Sequence, residues 1–120
     1  MNRIYICRWN STSSTPLKYC KKLIIALPGQ NHPEQYHKKK EETFVILHGA
    51  VDLYLNDEVN TLNKGDVITI EPEVRHRFET SGGCVIEEVS STHYKDDSYY
   101  VDPAIAQNQN RKTFIPHWRA

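Results

Sequence analysis

The sequence predicts an all-β domain, either a sandwich or a barrel. Segments of four to eight residues rich in Val, Ile, Thr, Tyr and Phe recur along the chain, a composition that suits a pleated, half-buried surface. Between them stand Pro28-Gly29, Asn56-Asp57, Lys64-Gly65 and Gly82-Gly83, the punctuation of turns. Before Asp102 no window carries the 3.6-residue period of an amphipathic helix.

Taken in order, Arg3 to Trp9 is a β-rich, partly alternating strand, and Asn10 to Pro16 is a Ser/Thr-rich loop. Lys21 to Leu27 is a second strand, ended by Pro28-Gly29. Asn31 to Glu34 contains Pro33 and is expected to be irregular or at an edge. Gln35 to His37 is a short strand and Lys38 to Glu41 a charged turn. Thr43 to His48 is apolar at both parities, as for a strand buried between layers. Gly49-Ala50 reads as a break. Val51 to Asn56 alternates, turns through Asn56-Asp57-Glu58, and returns as Val59 to Leu62. Val67 to Ile70, Arg75 to Glu79 and Cys84 to Ser90 are three further strands, with Pro72 and Ser81-Gly82-Gly83 between them. After Ser91 the chain becomes polar and Tyr-rich, with a helical turn expected near Pro103 to Gln107.

The 120 residues suit one domain over 1–120, with a barrel core at about 21–90. Apolar content of 38% and charged content of 25% describe a globular chain. Fifteen basic residues balance fifteen acidic ones, so no electrostatic footprint for nucleic acid or an anionic membrane is expected. The longest apolar run, Leu23 to Leu27, is too short to span a bilayer. The start of the chain lacks a signal-peptide pattern, since Arg8 and a polar run follow Ile4 to Cys7. Cys7, Cys20 and Cys84 form no CxxC pattern. They read as reduced thiols of a cytoplasmic protein, buried and inert.

Chemistry concentrates in Gly29 to Gly49. Gln35 and His37 lie two apart and share a face in extended chain. Glu42 opens the next apolar run, and neighbouring Glu41 must face the other way. An imidazole, an amide oxygen and a carboxylate meeting at strand ends can hold a divalent metal. His32, three before Gln35, could stand in as a ligand, but it is expected to be an exposed loop residue, and His48, His93 and His117 structural or exposed. Lys38, Lys39 and Lys40 form a charge run that reads as a solvated turn. Of Glu87 and Glu88 one faces inward, and alternation does not choose between them. Tyr94, Tyr99, Tyr100, Phe114 and Trp118 enrich the tail, a composition suited to a subunit interface in a homodimer.

These residues resemble the cupins, small β-barrels with two sequence motifs. The first, G-x5-HxH-x3-4-E-x6-G, is matched in spacing by Gly29, Gln35, His37, Glu42 and Gly49, with Gln35 in place of the first histidine. The second, G-x5-PxG-xx-H-x3-N, is met by Gly65 and His76. Glu71, Glu73 and Thr80 replace its proline, second glycine and asparagine. Lys40 stands three residues after His37, and Glu88-Val89-Ser90 is followed by Asp96-Asp97. That combination resembles the D-lyxose isomerase-like cupins.

The resemblance implies a cupin barrel with a metal site of Gln35, His37, Glu42 and His76. Mn or Zn suit such ligands, with Fe or Ni also compatible. It implies a sugar as substrate and an aldose–ketose isomerisation through an enediolate, with Glu88 moving the proton and Lys40 assisting at oxygen. A lysine beside a metal is expected to have a lowered pKa. Two other readings stand beside this one. The first is a non-catalytic sugar-binding cupin whose metal site has decayed at Gln35. The second is a lyase or dioxygenase built on the same barrel.

Overall fold

The computed structural model describes residues 2–9, 18–91 and 97–106. The described strands are β1 (Asn2–Trp9), β2 (Lys18–Ala26), β3 (Asn31–Tyr36), β4 (Glu42–Leu55), β5 (Glu58–Asn63), β6 (Val67–Ile70), β7 (His76–Glu79), β8 (Cys84–Ser90) and β9 (Tyr99–Tyr100). A single turn of helix, α1 (Pro103–Ala106), follows. Every pairing is antiparallel, and the strand order is β1-β2-β8-β4-β7-β3-β9, with β5 and β6 also on β4.

The long strand β4 joins the two halves of this curled sheet. Its first part pairs with β8 and β6, and its last part with β5 and β7. The Gly49-Ala50 break expected from the sequence is instead a bend within one continuous strand. The β8 register slips between Ile46 and His48, and Gly49 takes φ +75°. A Cβ at Gly49 would collide with the Gly83 carbonyl oxygen, so the corner needs glycine. The hairpin after β4 follows its sequence signal. Asn56 and Asp57 both have positive φ, the geometry whose twist matches flanking strands.

The inward faces explain where the site lies. On β2 the inward residues are Cys20 and Lys22, then Ile24 and Ala26; on β8 they are Cys84 and Ile86, then Glu88 and Ser90. On β4 they are Glu42, then Phe44 and Ile46, and on β7 His76, then Phe78. Apart from Cys20, each strand is polar at one inward end and apolar at the other. The registers set Lys22 against Glu88, Glu42 against Ser90, and Ile86 against both Ile24 and Ile46. Polar ends therefore gather at one end of the barrel. Beyond them Ile24, Phe44, Ile46, Leu53, Phe78 and Ile86 form the core.

Several expectations are corrected. Thr43 to His48 is buried on one face only: Phe44 and Ile46 point in, while Leu47 is exposed. Asn31 to Glu34 is strand, merged with Gln35 and Tyr36 into β3, and the irregularity expected there is present in its β7 pairing. Pro33 sits at this irregularity, where a missing N–H is tolerated. His32 is buried, stacked on Phe78 with centroids 5.2 Å apart, because it is paired within β3 opposite Phe78 rather than lying in a loop. Cys20 is disulfide-bonded, so the reading of three reduced thiols fails, and the cytoplasmic placement loses that support. In the β1–β2 backbone register, position 20 stands opposite position 7. The expected helical turn is α1, with Asp102 Oδ1 accepting the Ala104 N–H at 2.9 Å. Gln107, His93, Tyr94, Phe114, His117 and Trp118 lie outside the described residues. No helix of the described residues is long and apolar enough to cross a membrane.

Candidate metal centre

Five of the six residues singled out in the sequence converge at the polar end. His37 follows β3, Lys40 stands in the loop before β4, Glu42 opens β4, His76 opens β7, and Glu88 is on β8. All five are buried, between 1% and 5% exposed. The strand pleat decides two choices open in the sequence. Glu42 points in and Glu41 out, and Glu88 points in while Glu87 meets Lys21 outside at 3.3 Å.

His37 Nε2 lies 3.0 Å from Glu42 Oε1, and His76 Nε2 lies 3.3 Å from Glu42 Oε2. One donor atom from each of His37, Glu42 and His76 can be chosen so that all lie within 4.8 Å of one another. The opposite ring nitrogens are engaged: His37 Nδ1 bonds the Asp97 carbonyl at 2.8 Å and His76 Nδ1 the Val74 carbonyl at 3.0 Å. A carbonyl only accepts, so both Nδ1 atoms carry the hydrogen. In the neutral ring each Nε2 then presents a lone pair to Glu42. His37 Nε2, His76 Nε2 and Glu42 Oε2 are buried without a hydrogen-bond partner, and so is Glu88 Oε1.

Lone pairs and a carboxylate facing one another in a buried space repel unless a cation lies among them. Two imidazoles plus a carboxylate, each ring anchored by a backbone carbonyl, form a donor set that fits a divalent metal. The chain without metal compensates through protons. Burial would raise the Glu42 pKa, but the facing His37 and His76 rings and the Lys40 charge hold it well below the usual carboxylate range. Burial would lower the His76 pKa, but Glu42 beside it prevails and raises it.

Glu88 sits between two ammonium groups, Lys22 Nζ and Lys40 Nζ, each 3.7 Å from its Oε1. Burial and the neighbouring Glu42 charge push its pKa up to about 7, against the pull of both lysines. Lys40 also pairs with Glu42 Oε1 at 2.9 Å. The lowering of the Lys40 pKa expected beside a metal concerns the metal-bound chain; without metal the balance of charges is different. Burial favours a lower value, but Glu42 and Glu88 outweigh burial and the pKa is raised, so Lys40 stays an ammonium donor.

Gln35 is 9% exposed and faces inward on β3, its backbone opposite His76. Register thus brings it beside the cluster. Sequence reasoning missed Lys22, which is 6% exposed. The available signal was a lysine at the same parity as Ile24 and Ala26. It also missed the role of Asp97, whose partners lie 57 to 60 positions earlier in the chain, a separation that no local pattern spans.

Comparison with known proteins gives a consistent set. The family described as "Cupin domain" matches residues 22–89. A D-lyxose/D-mannose isomerase of Thermosediminibacter oceani is 29% identical over 116 aligned residues, covering 73% of this chain and 64% of that protein. The chain spans less than two thirds of the length of the curated relatives it matches. A Klebsiella pneumoniae protein with a double-stranded β-helix domain superposes with TM-score 0.66 at 18% identity, covering 84% of this chain and 86% of that one. A cupin sugar phosphate isomerase of Silicibacter pomeroyi superposes with TM-score 0.62 at 19% identity, covering 70% of this chain and 57% of that one. These two structures speak for the fold alone.

Proposed function

The chain belongs to the cupin family, and from that premise we propose a metal-dependent sugar isomerase that interconverts an aldose and a ketose through an enediolate. The observation that carries this reading is the set of four buried atoms on His37, Glu42, His76 and Glu88 that lie at ion-pair distance from neighbours but make no hydrogen bond. Three of them belong to a cation site and the fourth to a carboxyl group able to move a proton. The similarity to a D-lyxose/D-mannose isomerase supports the sugar substrate.

His37, Glu42 and His76 would hold the metal, with Gln35 contributing its amide oxygen. A bound divalent ion would supply Lewis acidity to the substrate carbonyl. The chain's own residues do the rest. Glu88, whose pKa burial and Glu42 push up to about 7 in the metal-free chain, is a carboxyl group placed to take and return a proton. It takes the proton from the carbon beside the carbonyl and returns it to the former carbonyl carbon, while the hydroxyl proton passes to the former carbonyl oxygen. Lys40, kept protonated by Glu42 and Glu88, donates a hydrogen bond to a substrate oxygen. Lys22 holds the Glu88 carboxylate from the other side. The barrel wall around these groups excludes water.

We further propose that the chain works as a homodimer. Support comes from the outer face of the β2-β8-β4-β6 half, where Leu23, Ile25, Val85, Val45 and Val67 are solvent-accessible to differing degrees. One observation favours a second reading, a sugar-binding cupin without catalysis: Gln35 stands at the position of a motif histidine, and its amide is a weak, uncharged ligand.

The test is elemental analysis of protein purified without added metal, followed by titration with Mn(II) and Zn(II) and a screen of aldoses and ketoses for interconversion. Stoichiometric metal with turnover is expected. Metal uptake without turnover on any sugar leaves the binding module or the lyase and dioxygenase alternatives. No uptake at all sinks every metal-dependent reading.

A further inference from the structure

We infer that Asp97 is a positioning residue through which segment 97–101 holds the metal-binding loop in shape, so that docking of this segment and cation binding stabilise one another. The inference rests on the metal-dependent reading above.

Asp97 is 2% exposed. Its carboxylate accepts three successive backbone N–H groups: Lys38 at 3.0 Å on Oδ1, and Lys39 and Lys40 at 3.2 and 3.1 Å on Oδ2. Its carbonyl accepts His37 Nδ1 at 2.8 Å. Four consecutive residues, 37 to 40, are thus tied to one residue, and they include a metal-ligand candidate and the ammonium donor. Successive N–H groups turned to one point form an anion-binding concavity. Here the chain fills it with its own carboxylate, and such charge-assisted bonds exceed neutral ones in strength.

The rest of the segment extends the same contact. Tyr99 and Tyr100 pair in register with Tyr36 and Gln35, and Val101 N donates to the Glu34 carbonyl at 3.1 Å. The Tyr36 and Tyr99 rings stack 5.2 Å apart, and Lys38 Nζ lies 4.6 Å over the Tyr99 ring. Positions 34 to 40 therefore depend on segment 97–101 along their whole length. The Asp97 carbonyl also fixes which nitrogen of His37 faces Glu42. A ligand that requires this arrangement favours the docked segment, and by reciprocity the docked segment favours the ligand.

The experiment uses the full chain as wild type, Asp97→Asn, Asp97→Ala and Leu62→Ala, titrated with Mn(II) or Zn(II) alone against a chromophoric chelator. Affinity in Asp97→Ala is expected to fall about 10- to 100-fold, the usual cost of losing a group that orients a ligand, with a smaller fall in Asp97→Asn. Leu62→Ala removes core bulk on β5 and is expected to keep wild-type affinity below its melting temperature, which separates positioning from general destabilisation. Hydrogen exchange on the wild type is the second measurement, and it decides the matter if Asp97→Ala does not fold. Metal is expected to slow exchange at the amides of Lys38, Lys39, Lys40 and Val101. Wild-type affinity in both Asp97 variants, or exchange indifferent to metal, overturns the coupling and leaves the metal-dependent reading intact. Absence of metal uptake by the wild type overturns both.

Discussion

Glu88 shows how one side chain acquires a role from its surroundings. As a surface carboxylate it would titrate near 4.5; buried beside Glu42 it titrates at about 7. A raised folded-state value means that the native state holds the proton more tightly than the unfolded chain. The stability contributed is complete below 4.5 and is lost as pH rises through about 7. Metal-free protein is therefore expected to lose stability across that window in denaturant titrations, and Glu88→Gln to remove the slope. A slope unchanged in the variant would assign it elsewhere. In catalysis Glu88→Gln is expected to lower turnover about 10³-fold, within the range for general acid–base groups, while metal content stays at the wild-type level. Gln35→His replaces a weak amide ligand by imidazole and is expected to tighten metal binding on the order of tenfold. Equal affinity by chelator competition would remove Gln35 from the ligand set.

At the scale of the element, β4 carries the most structure per residue. It opens with Glu42 in the site, bends at Gly49, and ends in the Asn56-Asp57 hairpin. The bend lets one strand serve both halves of the barrel, which a straight strand of 14 residues could not do. Gly49→Ala meets two penalties, a left-handed backbone and a collision with the Gly83 carbonyl. The expected cost is about 2–4 kcal/mol of unfolding free energy. Chemical denaturation checks this, and a loss under about 0.5 kcal/mol, the range of ordinary surface changes, would mean that the corner is not strained. The alternation on β2, β4, β7 and β8 was readable in the sequence, and so were the turns. The continuity of β4 was not, because a glycine at a bulge and a glycine at a break look the same in one chain. His32 misled for a related reason: Pro33 signals irregularity, but at a bulge the strand tolerates it and His32 stays inward.

For the whole molecule, the proposed dimer predicts a mass near twice the monomer's 14.0 kDa by light scattering at micromolar concentration. Val45→Asp or Val85→Asp on the outer face is expected to shift it toward monomer; a wild-type monomer removes the dimer. The sequence by itself determined the all-β class, the strand positions to within a few residues, and the ligand candidates His37, Glu42 and His76. Local rules govern all of these: a period of two, turn residues, and fixed motif spacing. Only the tertiary structure decided which of Glu87 and Glu88 faces inward, that Lys22 joins the site, and that Asp97 clasps residues 37 to 40. It also decided that Glu42 and Glu88 raise the Lys40 pKa in the metal-free chain. Those outcomes depend on strand register and on charges brought together across as many as 60 positions. Burial then turns such contacts, negligible in water, into the dominant local energies.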